Sequence, residues 1–373
     1  MKCIINGEQF KRIISKGGRV AERKAQNPLL ESVLLCASKE YKSLRAETTN
    51  LELWTEFTVP ASVHNEGKIT IPARPLAALA PYVRNNDEIT LEQEGHVLKI
   101  STSTGKTALY GYNADNFPLY SSPKKEKIFG IKSGILLPLF KRALVSVARS
   151  PLKPELASVL TKFTPSEAIV ASTDGFRLTE VRLSKEKFHF YPQEARDILI
   201  PSRSLEEIIR MFEEDDEEIF GYYHEGMFGV ASSSASIFTR TVEGAFPAYE
   251  QIIPSRFAVS ISLPRASLVD VLRHASIFSG KLYTISLSFS QKTNELLFHT
   301  IDQDVGEFSS TLAAQGTGED GEVVCNWRYF LDGVQGFLSD TITLSFNNDS
   351  TPLLMRDPGS SQGFYLVMPM RGM

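Results

Sequence analysis

Ile71-Pro72-Ala73-Arg74 has a close copy further along the chain, Ile200-Pro201-Ser202-Arg203, which differs from it at a single position. Phe117-Pro118 and Phe246-Pro247 form a second match with the same spacing. Short matches arise by chance, but two in the same order at one spacing indicate an internal repeat. The sequence therefore predicts that one structural unit occurs at least twice.

Two further matches extend the repeat to the whole chain. Phe10-Lys11-Arg12 occurs again as Phe140-Lys141-Arg142 at nearly the same spacing. Arg328 follows Arg203 at a slightly shorter spacing and begins an apolar pattern similar to the one after Arg203. The spacing is close to a third of the 373-residue chain, so three copies fill it. We therefore predict three copies of one unit. Three unrelated α+β domains of equal size remain the alternative.

Each copy has the same predicted order of elements: a helix, several strands, a second short helix after an Ile-Pro pair or its equivalent, and more strands. In the second copy Leu136, Phe140, Leu144 and Val147 form one apolar stripe of a helix. The first helices are predicted over 8–17, 136–149 and 264–278, and the second helices over 73–84, 202–213 and 327–338. Two helices and many strands per copy predict an α+β fold in which a helix layer covers a sheet layer.

The composition is that of a folded globular protein. Hydrophobic residues make up 42% and charged residues 23% of the 41.5 kDa chain, which excludes a disordered or fibrous protein. Cys3, Cys36 and Cys325 are too few for a disulfide framework, so we expect buried thiols in a reducing compartment. The amino terminus lacks the pattern of a secretory signal, and no apolar run is long enough to span a membrane. We therefore expect a cytoplasmic protein.

Positive charge is concentrated in the first helix of each copy. Residues 8–24 and 136–153 each carry a net charge of +4 and residues 263–281 carry +2, whereas the whole chain carries −4. Lysine and arginine bind phosphate groups without reading a base sequence. If the three copies surround an axis, these helices present one positive surface and the acidic remainder repels DNA elsewhere. This distribution is typical of a protein that surrounds DNA and moves along it.

The sequence contains no recognisable catalytic or cofactor motif. The six histidines are scattered, and no nucleophile elbow, phosphate-binding loop or dinucleotide fingerprint occurs. The glycine-rich stretch 316–321 lies between strand-like segments, and we interpret it as a hairpin loop. The acidic run 213–218 resembles a solvated turn between a helix and a strand. We predict no metal, no cofactor and no catalytic residue.

Three segments resemble one known family. They are Ser172-Thr173-Asp174-Gly175-Phe176-Arg177-Leu178, Glu243-Gly244-Ala245-Phe246-Pro247-Ala248-Tyr249 with Ile252-Ile253-Pro254, and Tyr365-Leu366-Val367-Met368-Pro369-Met370-Arg371. The family is the bacterial sliding clamp, the β subunit of the replicative DNA polymerase III, and the resemblance covers the whole chain.

The resemblance implies three DNA-clamp domains, which we place at residues 1–122, 127–252 and 255–373. The stretches 119–127 and 250–257 mix proline with charge, so we predict that they are linkers. Two chains are expected to join head to tail into a homodimeric ring around double-stranded DNA. The implied function is that of a non-enzymatic processivity factor. Its expected partners are the replicative polymerase, the clamp loader and other proteins with a clamp-binding motif. Tethering these proteins raises their effective concentration at the primer end.

The resemblance also implies a hydrophobic pocket that binds partner peptides with Leu and Phe anchors. The residues carried over to this pocket are Leu156, Thr173, Gly175, Phe176, Arg177, Leu178, Pro247, Ile252, Leu366, Met368, Pro369, Met370 and Arg371. Methionine suits such a pocket because its flexible, polarisable side chain adapts to several partners. Gln251 and Phe176 depart from the residues frequent in the family, and Gly372 and Met373 extend beyond Arg371.

Two further sets of residues are expected to face DNA and the second subunit. By resemblance the DNA-facing residues are Lys24, Arg149, Lys153 and Arg203; by charge they also include Arg12, Lys16, Arg142 and Arg273. The expected dimer interface joins the strand containing Thr107 and Leu109 to the region of Ile277 and Phe278. Thr107 stands where a bulkier apolar residue is frequent in the family.

Two other functions remain open from the sequence. One is a repeat scaffold that binds only proteins, and the other is an enzyme with an unrecognised active site.

Overall fold

The computed structural model describes residues 1–21, 26–118, 126–191, 195–359 and 362–370. Within these ranges one order of elements occurs three times, with nine strands and two α-helices in each repeat. The predicted α+β class and threefold repetition are confirmed. Most of the predicted linker 119–127 lies outside the described residues.

The three repeats have the following elements. The first contains β1 (Lys2–Asn6), α1 (Gly7–Gly17), β2 (Ser32–Ser38), β3 (Ser43–Thr49), β4 (Leu53–Pro60), β5 (Ser62–Asn65), β6 (Gly67–Pro72), α2 (Ala73–Leu79), β7 (Glu88–Glu94), β8 (Val97–Ser101) and β9 (Lys106–Tyr110). The second contains β10 (Lys127–Lys132), α3 (Ser133–Ala143), β11 (Ser158–Phe163), β12 (Glu167–Thr173), β13 (Arg177–Ser184), β14 (His189–Phe190), β15 (Arg196–Pro201), α4 (Ser202–Phe212), β16 (Glu218–His224), β17 (Met227–Ala231) and β18 (Ala235–Arg240). The third contains β19 (Val259–Pro264), α5 (Arg265–Ala275), β20 (Thr284–Ser290), β21 (Glu295–Asp302), β22 (Gly306–Ala313), β23 (Gln315–Gly318), β24 (Gly321–Asn326), α6 (Trp327–Gln335), β25 (Thr341–Phe346), β26 (Leu353–Arg356) and β27 (Gly363–Val367).

The chain folds into two compact units, and the middle repeat contributes to both. Unit 1 comprises 1–137, 188–192 and 203–241, and unit 2 comprises 138–187, 193–202 and 242–373.

Unit 1 contains one sheet from the first repeat alone and one sheet shared by two repeats. The five-stranded sheet has the order β5-β1-β7-β8-β9. The nine-stranded sheet has the order β14-β10-β16-β17-β18-β4-β3-β2-β6, so β18 of the second repeat pairs with β4 of the first. Helix α1 packs on β3 and β4 and buries Phe10, Ile13 and Ile14. Its first turn is held by a capping box between Asn6 and Gln9.

Unit 2 is built in the same way from the second and third repeats. Its nine-stranded sheet has the order β15-β11-β12-β13-β27-β26-β25-β19-β23, so β27 of the third repeat pairs with β13 of the second. Its four-stranded sheet has the order β22-β21-β20-β24. Helices α5 and α6 pack together and bury Leu268, Leu272, Phe330 and Val334 in one apolar core with these sheets.

One of the sequence matches is out of structural register. The Ile-Pro matches fall at the equivalent junctions β6–α2 and β15–α4. In contrast, α1 begins at Gly7 and α3 begins at Ser133. When the two helices are aligned from their first residues, Phe140-Lys141-Arg142 lies about one helical turn further along its helix than Phe10-Lys11-Arg12. Lys16, and not Arg12, is the structural equivalent of Arg142.

The helix bounds also differ from those predicted. Helix α3 begins three residues earlier than expected, because the Ser133 hydroxyl donates to the Asp215 carbonyl at 2.7 Å and accepts from the Glu217 N–H. It ends at Ala143, where a 3₁₀ turn over Leu144–Ser146 follows. Most of the other helices end before their predicted bounds. A bond between residues 82 positions apart leaves no local signal in the sequence.

One loop prediction was wrong and another was incomplete. The stretch 316–321 is not a hairpin, because β23 pairs with β19 in one sheet and β24 pairs with β20 in another. The acidic run does connect α4 to β16, but it is not simply solvated. Asp215 forms ion pairs with α1, and the Asp216 carboxylate accepts the Gly134 N–H at 3.1 Å.

Candidate functional site

Two of the three segments that resemble the family are hydrogen-bonded neighbours in unit 2. Strand β13 pairs antiparallel with β27, which places Leu178 opposite Leu366. The pairing continues beyond the strands, because the Met368 N–H donates to the Phe176 carbonyl at 2.8 Å. Segments from two different repeats therefore form one strand pair.

The third segment completes an apolar cluster over this pair. Tyr249 is buried beside Leu178 and Leu366, both 1% exposed. We name this the Leu178 cluster; its members are Leu160, Ala171, Leu178, Leu199, Tyr249, Leu354, Phe364 and Leu366, with Val242, Phe246, Ile253, Phe257 and Met368 half-buried against them. The structure thus brings the three segments together, as the peptide-pocket prediction requires. The predicted linker 250–257 takes part in the site, since Ile253 and Phe257 pack on the cluster.

A tight turn positions the edge of the cluster. The Asp174 carboxylate accepts the N–H groups of Phe176 and Arg177 at 2.9 and 3.0 Å, and the Thr173 hydroxyl donates to the Arg177 carbonyl at 2.7 Å. Gly175 has a φ of +90°, a conformation that favours glycine. The turn leaves the Phe176 ring 63% exposed, stacked with its centroid 6.4 Å from that of Tyr329.

The remaining predicted pocket residues lie around this framework. Pro247 and Ile252 are exposed next to Tyr249, and Pro369 and Met370 are half-buried after β27. The Met370 N–H donates to the Val324 carbonyl at 2.8 Å, which fixes the chain after the strand. Leu156 is half-buried before β11 and outside the packed cluster. Arg371, Gly372 and Met373 lie outside the described residues.

Arg177 is a structural cation beneath the turn and not an exposed one. Its guanidinium donates to Asp174 at 3.0 Å and to Asp332, and it lies 4.5 Å from the Tyr329 ring centre. Burial alone would lower the pKa of Arg177, but Tyr365, Asp332 and Asp174 outweigh it and raise that pKa above its usual value. Arg177 therefore stays charged and ties the turn to α6.

Tyr249 ties the second segment to the sheet. Its hydroxyl donates to the Glu180 carboxylate at 2.6 Å, and the same carboxylate accepts from Arg182 at 2.7 Å. Burial, together with the hydrogen bond to Glu180, raises the pKa of Tyr249 above its ordinary value of 10.0.

Several of the predicted DNA-facing cations are engaged within the protein. Arg12 and Lys16 form ion pairs with Asp215 at 2.7 and 3.4 Å, and Lys16 also pairs with Glu214 at 3.2 Å. Lys16 is only 5% exposed, so its charge is directed to the loop after α4 and not to solvent. The prediction that Lys16 faces DNA is therefore corrected, because counting charge along a helix does not reveal which side is covered.

Arg142, the equivalent of Lys16, is also packed against its neighbours. Its guanidinium lies 4.2 Å from the Phe337 ring centre, and its Nη2 atom is buried without a hydrogen-bond partner among the described residues. Burial lowers the pKa of Arg142, an effect that the Asp357 carboxylate opposes. We therefore remove Arg142 from the DNA-facing set as well.

Four predicted cations remain on the surface of the described chain: Arg149, Lys153, Arg203 and Arg273 are exposed. Arg149 and Lys153 lie in the segment after α3, Arg203 is in the first turn of α4, and Arg273 is in the last turn of α5. Lys24 lies outside the described residues.

The predicted dimer residues lie at two sheet edges. Thr107 and Leu109 are half-buried on β9, the last strand of the five-stranded sheet. Ile277, after α5, is 62% exposed, and Phe278 stacks on Phe308 of β22 with ring centroids 6.2 Å apart. Strand β22 is the last strand of the four-stranded sheet.

Across the described ranges, no group of three His, Cys, Asp or Glu side chains is placed to hold a metal ion. None of the helices found there is long and apolar enough to cross a membrane.

Comparison with known families accounts for this arrangement. Models of the DNA polymerase III β subunit match in three consecutive pieces: the N-terminal domain over residues 1–121, the central domain over 131–248 and the C-terminal domain over 250–371. The chain belongs to this sliding clamp family.

Relatives and solved structures agree with the assignment. The beta sliding clamp of Synechococcus elongatus is 26% identical over 100% of this chain and 99% of its own length, and that of Chlamydia trachomatis is 26% identical over 100% and 87%. The sliding clamp of Pseudomonas aeruginosa, solved with bound griselimycin, has a TM-score of 0.94 at 22% identity, and that of Bacillus subtilis has 0.93 at 19%. Both structures match over 100% of both chains, so the three-domain clamp fold predicted from the sequence is confirmed.

Some residues that pack on the Leu178 cluster or hold its turn were missed from the sequence. Phe246 and Ile253 lie inside the segments quoted for the resemblance, so their apolar character was a signal. Asp332 and Tyr329, which hold Arg177 and Phe176, belong to the third repeat, and nothing local in the sequence connects them to the turn.

Replacing Tyr249 with phenylalanine tests the hydrogen bond to Glu180. Removing a hydrogen-bond donor from a buried carboxylate lowers the free energy of unfolding by about 1–3 kcal/mol, so the variant should have a lower Tm at neutral pH. Folding raises the pKa of Tyr249. The Tyr249 hydroxyl therefore contributes its full share of the free energy of unfolding below about pH 10, and this share declines as the pH rises toward the pKa of Tyr249 in the folded protein. The difference in Tm between the two proteins should thus be constant up to about pH 10 and shrink above it. Tyr41→Phe, at a 74% exposed position, is the control. A difference that stays unchanged to pH 11 would contradict this account.

Proposed function

We propose that two copies of this chain close head to tail into a ring around duplex DNA and tether replication proteins to it. The replicative polymerase, the clamp loader and other proteins with a clamp-binding motif are the proposed partners, in the cytoplasm. The chain acts as a processivity factor, and we assign no catalytic role to any residue. The convergence of three distant segments on the Leu178 cluster is the observation that carries the proposal.

The ring needs only weak contacts with DNA. Closure around the duplex retains the protein topologically, so a few phosphate contacts suffice to centre it. We assign these contacts to the exposed cations Arg149, Lys153, Arg203 and Arg273. Lysine and arginine contacts of this kind are independent of base sequence.

The Leu178 cluster is the proposed docking site for partner peptides. Its base, Leu178 and Leu366, is fully buried, whereas Phe246 and Met368 are half-buried at its edge and offer apolar surface to a ligand. The exposed Pro247 and Ile252 extend that surface. A short peptide with Leu and Phe anchors matches its chemistry.

Variants at the edge of the cluster test the docking site. Met368→Ala combined with Phe246→Ala removes apolar surface without touching the buried base. We expect at least about tenfold weaker binding of a synthetic peptide with Leu and Phe anchors, measured by fluorescence anisotropy. Leu338→Ala, at a 90% exposed position of the same unit and outside the cluster, is the control. Unchanged peptide affinity in the double variant would remove the site assignment.

Retention on DNA of different topology tests encirclement. The protein is loaded onto nicked circular DNA, and half of the sample is then linearised. A ring should stay on the circles and slide off the free ends, so retention should depend on topology. Equal retention on both forms would contradict encirclement, and no retention on either would favour a scaffold that binds only proteins.

A further inference from the structure

The turn between β12 and β13 has an equivalent between β3 and β4 that forms without a charged side chain. We call the pairings between repeats, β4–β18 in unit 1 and β13–β27 in unit 2, the two joints. Beside the joint of unit 1 the Asn50 amide oxygen accepts the N–H groups of Glu52 and Leu53 at 3.1 and 2.8 Å. In unit 2 the Asp174 carboxylate accepts the two equivalent N–H groups. The central residue of the turn in unit 1, Leu51, has a φ of +70°, and that of unit 2 has a φ of +90°. This turn therefore needs no ion pair to form.

Arg177 occupies the position of Leu53 and links the turn of unit 2 to helix α6. Each of these two residues is the first of its strand. The Arg177 guanidinium donates both to Asp174 within the turn and to Asp332 on α6. Because Asp174 already pairs with this cation, Asp332 is not needed to close the turn. What Asp332 adds is a connection between the turn and the helix.

Tyr329, on the same helix, holds the exposed part of the turn. Its ring stacks on that of Phe176 with the centroids 6.4 Å apart and 25° between the planes. The Arg177 guanidinium lies 4.5 Å from the centre of the same tyrosine ring. Phe176 is 63% exposed, so these contacts from α6 restrict a side chain that is mostly surrounded by solvent.

Helix α6 is fixed on the strand pair that forms the base of the Leu178 cluster. Tyr365 of β27 packs on the side where α6 lies, whereas the next residue, Leu366, belongs to the Leu178 cluster on the other side. The Tyr365 hydroxyl donates to the Tyr329 carbonyl at 2.9 Å. A Cβ atom added at Gly333 would lie 2.4 Å from the Tyr365 ring, so the helix and the strand approach each other closely. The helix is therefore a close-packed support for the two side chains that reach the turn.

The equivalent helix of unit 1 holds its turn by neither of these contacts. When α4 and α6 are aligned from their first residues, Glu207 takes the position of Asp332. Ser204 takes the position of Tyr329 in the same alignment. Glu207 forms an ion pair with Arg19 at 3.1 Å, and the buried Ser204 has no ring to stack on the turn. The link from helix to turn thus accompanies the joint that carries the Leu178 cluster.

We infer that Asp332 is a positioning residue of the docking site and acts on it without touching the bound peptide. This inference rests on the proposed docking of partner peptides and adds a residue to that site. Asp332 holds Arg177 against α6, and Tyr329 holds Phe176. The turn then presents Phe176 beside Met368, whose N–H donates to the Phe176 carbonyl at 2.8 Å. A wall that is ordered before the peptide arrives lowers the entropy cost of binding.

Replacing Asp332 with alanine tests the positioning role. Its side chain is 43% exposed, and Arg177 keeps Asp174 as a partner, so the variant should fold. A synthetic peptide with Leu and Phe anchors should bind about threefold more weakly or worse, measured by fluorescence anisotropy, as for other residues that act on a site from outside it. Asp332→Glu restores a carboxylate at this position and should recover most of the affinity.

Glu207→Ala is the matched control, because it removes a carboxylate from the equivalent position of α4. A general loss of stability on removing a helix carboxylate should appear in the Tm of both alanine variants. The peptide Kd, in contrast, should change only in Asp332→Ala. Equal losses of affinity in the two variants would overturn the inference, since the effect would then not belong to the docking joint.

A double-mutant cycle with Phe176→Ala tests whether Asp332 acts through the turn. If the turn transmits the effect, Asp332→Ala should weaken peptide binding much less in the Phe176→Ala background than in the wild-type protein. The same fold-change in both backgrounds would show that Asp332 acts independently of Phe176, for example by contacting the peptide itself, and would overturn the inference.

The wild-type measurement separates the possible failures. If the wild-type protein and Asp332→Ala bind the peptide with the same Kd, the positioning role is wrong while the proposed docking site stands. If the wild-type protein does not bind the peptide, the docking site itself is wrong, and this inference with it.

Discussion

Strand pairing between neighbouring repeats builds both nine-stranded sheets. The strands of each repeat are divided between two sheets, and an edge strand of one repeat completes a sheet of the next. Main-chain hydrogen bonds need no particular side chains, so the two joints can contain different residue pairs at the same position. This position is occupied by Thr55 and Ile237 in unit 1 and by Thr179 and Tyr365 in unit 2. The proposed docking site depends on this pairing directly, because Leu178 of β13 lies opposite Leu366 of β27 in unit 2.

The same joint explains how the charges are distributed. In unit 1 the acidic loop after α4 forms ion pairs with Arg12 and Lys16 of α1, which binds two repeats together and keeps the Lys16 cation buried. The cations that remain exposed, such as Arg149 and Arg203, lie just after or at the start of helices. Positive charge in and beside these helices thus has two roles: it holds repeats together, and we propose that it contacts DNA.

The architecture could be predicted from the sequence better than the contacts. Ile71-Pro72 and Ile200-Pro201 mark equivalent strand ends, because a proline is tolerated where a strand turns into a helix, and so the repeat was detectable. Residues of all three resemblance segments pack in or against the Leu178 cluster, so the sequence indicated which segments meet. Charge counting failed for Lys16 and Arg142, since their partners Asp215 and Phe337 belong to the next repeat. Partners so distant along the chain cannot be found from local patterns.

Cryo-electron microscopy of the protein without DNA would show how many joints between repeats the assembly contains, and so whether the chains form a ring. The proposed ring requires a closed particle of two chains and six repeats, in which all six joints have one geometry and Arg149, Lys153 and Arg203 line the opening. Single chains with β9 and β22 exposed to solvent, or a closed particle with those cations on its outer surface, would contradict it.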